Sequence, residues 1–103
     1  MGNNVKVEAK DVIKKANVVQ ISKAISIYQV FHGYYPYTFE ELLNEGDIKE
    51  IPNGYTYQRS ADGQSAVIFS LSENGNGGWC WNSESGGIKL ADSESDCQIY
   101  IKN

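Results

Sequence analysis

The chain has 103 residues, so it supports one domain, and its 41% hydrophobic and 21% charged content fits neither a disordered nor a membrane-embedded chain. A net charge of -4 argues against a nucleic-acid backbone as the main partner. A zinc site would need nearly all of the single His and two Cys at once, and most soluble enzyme chemistry is disfavoured with it.

Residues 5–32 read as one long helix, uninterrupted by Pro or Gly. At 100° per residue, Val5, Ala9, Val12, Ile13, Ala16, Val19, Ala24, Ile27, Val30 and Phe31 fall on one broad face. Glu8, Asp11, Lys14, Lys15, Ser22, Ser26 and Gln29 fall opposite. From Val18 a second stripe runs through Ile21, Ile25 and Tyr28. Two apolar faces mean a helix sunk deep in its own core, or one whose second face another protein covers. Such a helix spans about 42 Å, whereas a chain of this length folds to a body about 33 Å across. Its first turns are therefore expected to overhang, carrying Val5, Ala9 and Val12 into solvent. Residues 1–32 carry a balance of +3 and residues 33–103 one of -7. That asymmetry fits contacts between copies or with an anionic surface, against the plainer reading of a solvated charge distribution.

Gly33 reads as the helix C-cap, with His32 at the negative end of the dipole. Thr38 and Glu41 have capping-box spacing, so a short helix is expected after Thr38, stopped by Gly46. Ile48 and Ile51 lead to Pro52 and an Asn53-Gly54 turn. Strands are expected at 55–59, 65–71, 79–82 and 88–90, with Asp62-Gly63 supplying the first hairpin turn. Residues 92–96 read as a loop and 98–102 as a last strand, with Ile99 and Ile101 on one face. The whole is α+β, a long N-terminal helix packed on an antiparallel sheet.

Cys80 and Cys97 lie in the loop-rich last third, where an even count reads as one disulfide in an oxidising compartment; two unrelated buried thiols are the alternative.

The helix running into His32-Gly33-Tyr34-Tyr35-Pro36-Tyr37-Thr38, then Leu42, Gly46 and Ile51-Pro52, resembles the start of the globular domain of type IV pilins and type II secretion pseudopilins. Sequence-level likeness is confined to about residues 16–57, although the order of elements follows the family over most of the chain. The family's cleavage site, apolar half-helix and early glutamate have no counterpart here. The sequence looks like a truncated soluble form, with Met1-Gly2 in place of a removed segment. The resemblance implies a helical spine at 4–32, a connecting segment at 33–54, and a sheet with a disulfide-closed C-terminal loop at 55–103. It also implies a homopolymeric, helical cell-surface filament, with other pilin subunits and the inner-membrane assembly machinery as partners. Membrane anchoring before assembly follows, with adhesion or motility as outcomes. The Cys80–Cys97 pair is similar to the disulfide of many pilins and favours a pilus subunit over a secretion or DNA-uptake pseudopilin. The interface expected on this reading comprises Val5, Ala9, Val12, Val18, Ile21, Ile25 and Tyr28.

Other chemistry is weaker. His32 lacks a nucleophile partner in sequence, and Glu40-Glu41 point apart on a helix start. Asp92, Glu94 and Asp96 are calcium candidates of non-EF-hand type, since Cys97 and Asn103 stand where that motif needs Gly and Glu. A solvated acidic loop is the plainer reading. The glycines of 72–78 lack the helix and Lys of a phosphate cradle. Trp79 and Trp81 share a strand face and either fill the core or form a sugar-stacking platform, as in a secreted carbohydrate-binding module. Tyr34, Tyr35 and Tyr37 either pack locally or form a contact or electron-carrying surface. No cofactor, metal, nucleic acid or catalytic residue is assigned.

Overall fold

The computed structural model describes residues 2–46, 48–49, 54–72, 75–99 and 101, and the side chains of these outside 2–10 and Glu45. The order is α1 (Gly2–His32), α2 (Phe39–Glu45), β1 (Tyr55–Arg59), β2 (Ala66–Leu71), β3 (Gly78–Asn82), β4 (Ile88–Ala91) and α3 (Glu94–Gln98). The four strands form one antiparallel sheet in the order β1-β2-β3-β4, so each connection is a hairpin. The α+β class holds, and so do the four strands expected between 55 and 90, each to within a residue. Expected residues 51–53 lie outside the described part.

Alternation along the strands makes two clusters. Ala66, Ile68 and Trp81 face α1 and meet Val18, Ile21, Ala24, Ile25 and Tyr28, with Phe39 and Leu42 of α2 completing the core. Val67, Phe69 and Cys80 face the other way and meet Cys97. The Cys80–Cys97 disulfide, with Cα atoms 5.7 Å apart, clamps α3 to that second face.

Both helix stops sit at left-handed glycines. Gly33 (φ 85°) donates its N–H to the Gln29 carbonyl at 2.8 Å, and Gly46 (φ 81°) closes α2. The capping box does not form as spaced. Thr38 holds extended N-cap geometry without a side-chain bond, and the Glu41 carboxylate accepts instead from the Tyr37 N–H at 2.8 Å.

The expected strand at 98–102 is replaced. Ser93 caps α3 by accepting the Asp96 N–H at 3.2 Å, and Glu94 and Asp96 stand at the positive end of that short helix. The acidic segment read as a loop is thus a helix start. Ile99 stays in right-handed helical geometry, so Ile99 and Ile101 do not share a strand face: Ile99 is exposed and Ile101 packs on the disulfide cluster. Tyr100 and Lys102 lie outside the described residues.

Candidate functional site

Of the residues expected at a subunit interface, Val12 is exposed, but the stripe from Val18 to Tyr28 is buried within the chain. Val18, Ile21, Ile25 and Tyr28 are all under 10% exposed and pack on the sheet. They are core residues of the single chain, and their assignment to a subunit interface is corrected here. The reason is local. This stripe is flanked by Ser22 and Ala24, small enough to let α1 approach the sheet, and the Ser22 hydroxyl donates to the Val19 carbonyl at 2.6 Å, so it can be buried. The polar residues beside the stripe also reach the sheet. Lys14 lays its stem along the body and donates from Nζ to the Leu71 carbonyl at 2.7 Å, and Asn17 donates to the Tyr55 hydroxyl at 2.8 Å.

Of the broad face, Ala24 packs into the core and Val19 is half-buried, while most of its other described residues face outward. Val12 (62%), Ile13 (59%), Ile27 (49%), Val30 (76%) and Phe31 (80%) are exposed. Val12 to Phe31 covers about 29 Å of helix. Val5 and Ala9 of the expected interface have side chains outside the described part. Among the described residues, no helix is long and apolar enough to cross a membrane.

At the C-terminal end of α1 an aromatic network fixes the connecting segment. His32 stacks on Tyr28 at 3.9 Å, and Tyr34 approaches both rings. Arg59 was missed in sequence because its partners are 22 to 25 residues away. Its guanidinium lies 3.4 Å from the Tyr37 ring centroid and donates from Nη1 to the Tyr35 carbonyl at 2.9 Å. The Tyr57 hydroxyl donates to the Pro36 carbonyl at 2.6 Å. Burial, reinforced by the Glu41 carboxylate, pushes the Tyr28 phenol up to about 12, and burial raises Tyr57 and Tyr35 as well. The Ser60 hydroxyl holds Asp62 below its ordinary carboxylate value. Of the tyrosines read as a patch, Tyr35 packs inward against Trp81, whereas Tyr37 is largely exposed. Glu41 is occupied by the connecting segment, and Glu40 points to solvent without it.

The tryptophans face α1. Trp81 is 6% exposed. Trp79 donates from Nε1 to the Asp11 carbonyl at 3.0 Å, and Lys15 Nζ sits 4.8 Å above its ring. Asp92, Glu94 and Asp96 are exposed, and no group of three or more His, Cys, Asp or Glu converges among the described residues.

Two of the grooves among the described residues flank these elements. One of about 630 Å³ runs between α1 and the β3–β4 hairpin, with Val19, Lys23, Ile27, Trp81 and Ile88 among its walls. The other, of about 540 Å³, lies at one end of the sheet, floored by Phe69 and Leu71 and rimmed by Asp92 and Glu94. No family model, no curated protein and no solved structure matches the chain.

Proposed function

We propose that this chain is the globular part of a pilin-like subunit that assembles into a cell-surface filament, and that the outward face of α1 is what its neighbours cover. The observation carrying this reading is the stripe Val12, Ile13, Ile27, Val30 and Phe31, exposed on a helix whose other face is already satisfied by its own sheet. Burying side chains of this kind contributes about 1.5–3 kcal/mol each. A single copy leaves that free energy unused. At 31 residues α1 is about 46 Å long, close to the 47 Å longest extent of the molecule. Strands of four to six residues cover less than half of that. Trp79, Leu71 and Tyr55, the sheet residues that Asp11, Lys14 and Asn17 reach, share one end of the sheet by register, so the turns before Asp11 run past it.

The function on this reading is assembly rather than catalysis. A helix face on one copy meeting a different surface on the next is a heterologous contact, which builds an open filament when the rotation does not close. The disulfide agrees with an oxidising location outside the cytosol. A secretion or DNA-uptake pseudopilin would use the same helix face, and the disulfide favours the pilus subunit. The sugar-platform reading gains no support, because one indole is buried and the other is held under Lys15.

The test uses the protein expressed from its own gene in its own host. Ile27→Asp with Phe31→Asp should abolish surface filaments in electron micrographs while the purified chain keeps its helical circular dichroism and its disulfide. Normal filaments from that double variant would refute the assignment.

A further inference from the structure

The loop between β2 and β3, whose glycines suit no phosphate cradle, carries a different chemistry. Asn74-Gly75 and Asn76-Gly77 follow one another there. We propose that Asn76 is a self-modifying residue, converted to aspartate or isoaspartate by the backbone nitrogen of Gly77, and that Ser72 selects it over Asn74. This chemistry does not depend on whether the chain assembles.

An asparagine side chain and the next backbone nitrogen are neighbours in one molecule, so ring closure waits for no encounter. Glycine at the next position lacks the Cβ that would crowd the approach. The Gly77 N–H gives its proton to solvent, and the nitrogen bonds to the side-chain carbonyl carbon of Asn76. The bond from that carbon to Nδ2 breaks, and the amide leaves as ammonia with the returned proton. Water then opens the cyclic imide at either carbonyl. The products are an ammonium ion and a new carboxylate on the chain, so atoms and charge balance.

The nucleophile is the deprotonated amide, whose negative charge spreads onto the Asn76 backbone carbonyl oxygen. The Ser72 hydroxyl donates to that oxygen at 3.1 Å, a donor placed where charge develops. The Ser72 carbonyl does the opposite for the neighbouring pair. It accepts the Gly75 N–H at 3.0 Å, which holds the proton that attack on Asn74 would have to release. Asp62-Gly63 is restrained in the same way, because the Gly63 N–H donates to the Ser60 carbonyl at 3.0 Å. The Ser72 N–H donates to the Gly77 carbonyl at 2.9 Å and so keeps Ser72 beside the reacting peptide. Asn76 itself is solvent-exposed, so water and base reach it.

Isoaspartate lengthens the main chain by a methylene at a place without slack. A Cβ added to Gly77 would meet the Ala91 carbonyl oxygen at 2.5 Å, and one added to Gly78 would run into the Ser70 carbonyl. The new charge also joins Asp92 and Glu94, which share a groove with Gly75 and Gly77. Both effects loosen the end of the sheet where Gly78 pairs with Leu71 and Ala91. Conversion is therefore a slow, one-way clock that opens this end of the sheet.

The test incubates the purified chain, disulfide intact, at mildly alkaline pH and maps its peptides by mass spectrometry. Asn76 should convert faster than Asn74 in the folded chain, and faster as the pH rises. In urea the two rates should converge, because both hydrogen bonds of Ser72 are lost. Ser72→Ala removes the hydroxyl and keeps the carbonyl. It should slow Asn76 by about three- to tenfold, leave Asn74 unchanged, and be rescued by Ser72→Thr. The isolated isoaspartate form should exchange its Leu71 and Gly78 amide hydrogens faster than the parent, with Ile68 and Trp81 unaffected. Equal folded-state rates at Asn76 and Asn74, a difference that survives urea, or a Ser72→Ala chain matching the parent would each overturn the selection by Ser72. Absence of conversion at Asn76 would overturn the site itself, and unchanged exchange at Leu71 and Gly78 would overturn the clock.

Discussion

At the scale of single residues, the connecting segment shows how a few polar contacts hold an irregular stretch. Tyr28, Tyr57, Glu41 and Arg59 supply partners to backbone atoms or to one another around residues 33–38. The raised phenols have a consequence in pH. Tyr28 ionises at about 12 in the folded chain against 10.0 when unperturbed. Below pH 10 both states keep the proton and the contribution of that site to stability is whole. Above it the unfolded chain ionises first, so stability falls as pH climbs through this window, and Tyr57 acts with the same sign. Urea midpoints measured at about pH 9 and about pH 11 should therefore drop at the higher value, with phenolate absorbance rising in step with unfolding. Equal midpoints would mean these hydroxyls are not buried.

At the scale of elements, α1 is the instructive case, since both its stripes are apolar and the core takes mainly one of them. Ile25 is fully buried and Ile27, two residues on, is about half exposed. Ile25→Ala should cost about 3 kcal/mol by lost transfer and an unfilled cavity, whereas Ile27→Ala should stay within about 1 kcal/mol. Chemical denaturation of the two variants checks this, and equal losses would mean the faces are wrongly assigned. The same burial means that Ile21→Asp and Ile25→Asp would unfold the chain, so neither can serve as a clean interface variant. Short elements were legible where a punctuating residue marks them: Gly33 and Gly46 end their helices, and the hairpins follow their turn residues. The last element was not legible, because Ile99, Tyr100 and Ile101 alternate like a strand while the cap at Ser93 and the pull of the disulfide make the preceding residues helical.

At the scale of the whole molecule, the disulfide joins the only helix on the outer sheet face, among the described residues, to the sheet itself. Its two cysteines are 17 positions apart, and opening a loop of that size costs about 3 kcal/mol by loop entropy. Reduction should thus lower the melting temperature by roughly 15 °C and free α3 before the α1–sheet core gives way. Calorimetry with and without reductant measures the shift; an unchanged melting temperature would mean that α3 adds nothing to the fold.

What the amino-acid order determined by itself is the class of fold, the spans of the four sheet strands and the presence of two apolar stripes on one long helix, because periodicity and turn residues act over a few positions. Which stripe the sheet covers was decided only in three dimensions. Both stripes are hydrophobic enough to bury, and the choice turns on whether Ser22 and Ala24 let the backbone come close and on where Lys14, Asn17 and Trp79 find partners more than 35 residues away. The acid-rimmed groove is likewise tertiary, since Phe69 and Glu94 are brought together by strand pairing and a covalent bond that no local pattern encodes.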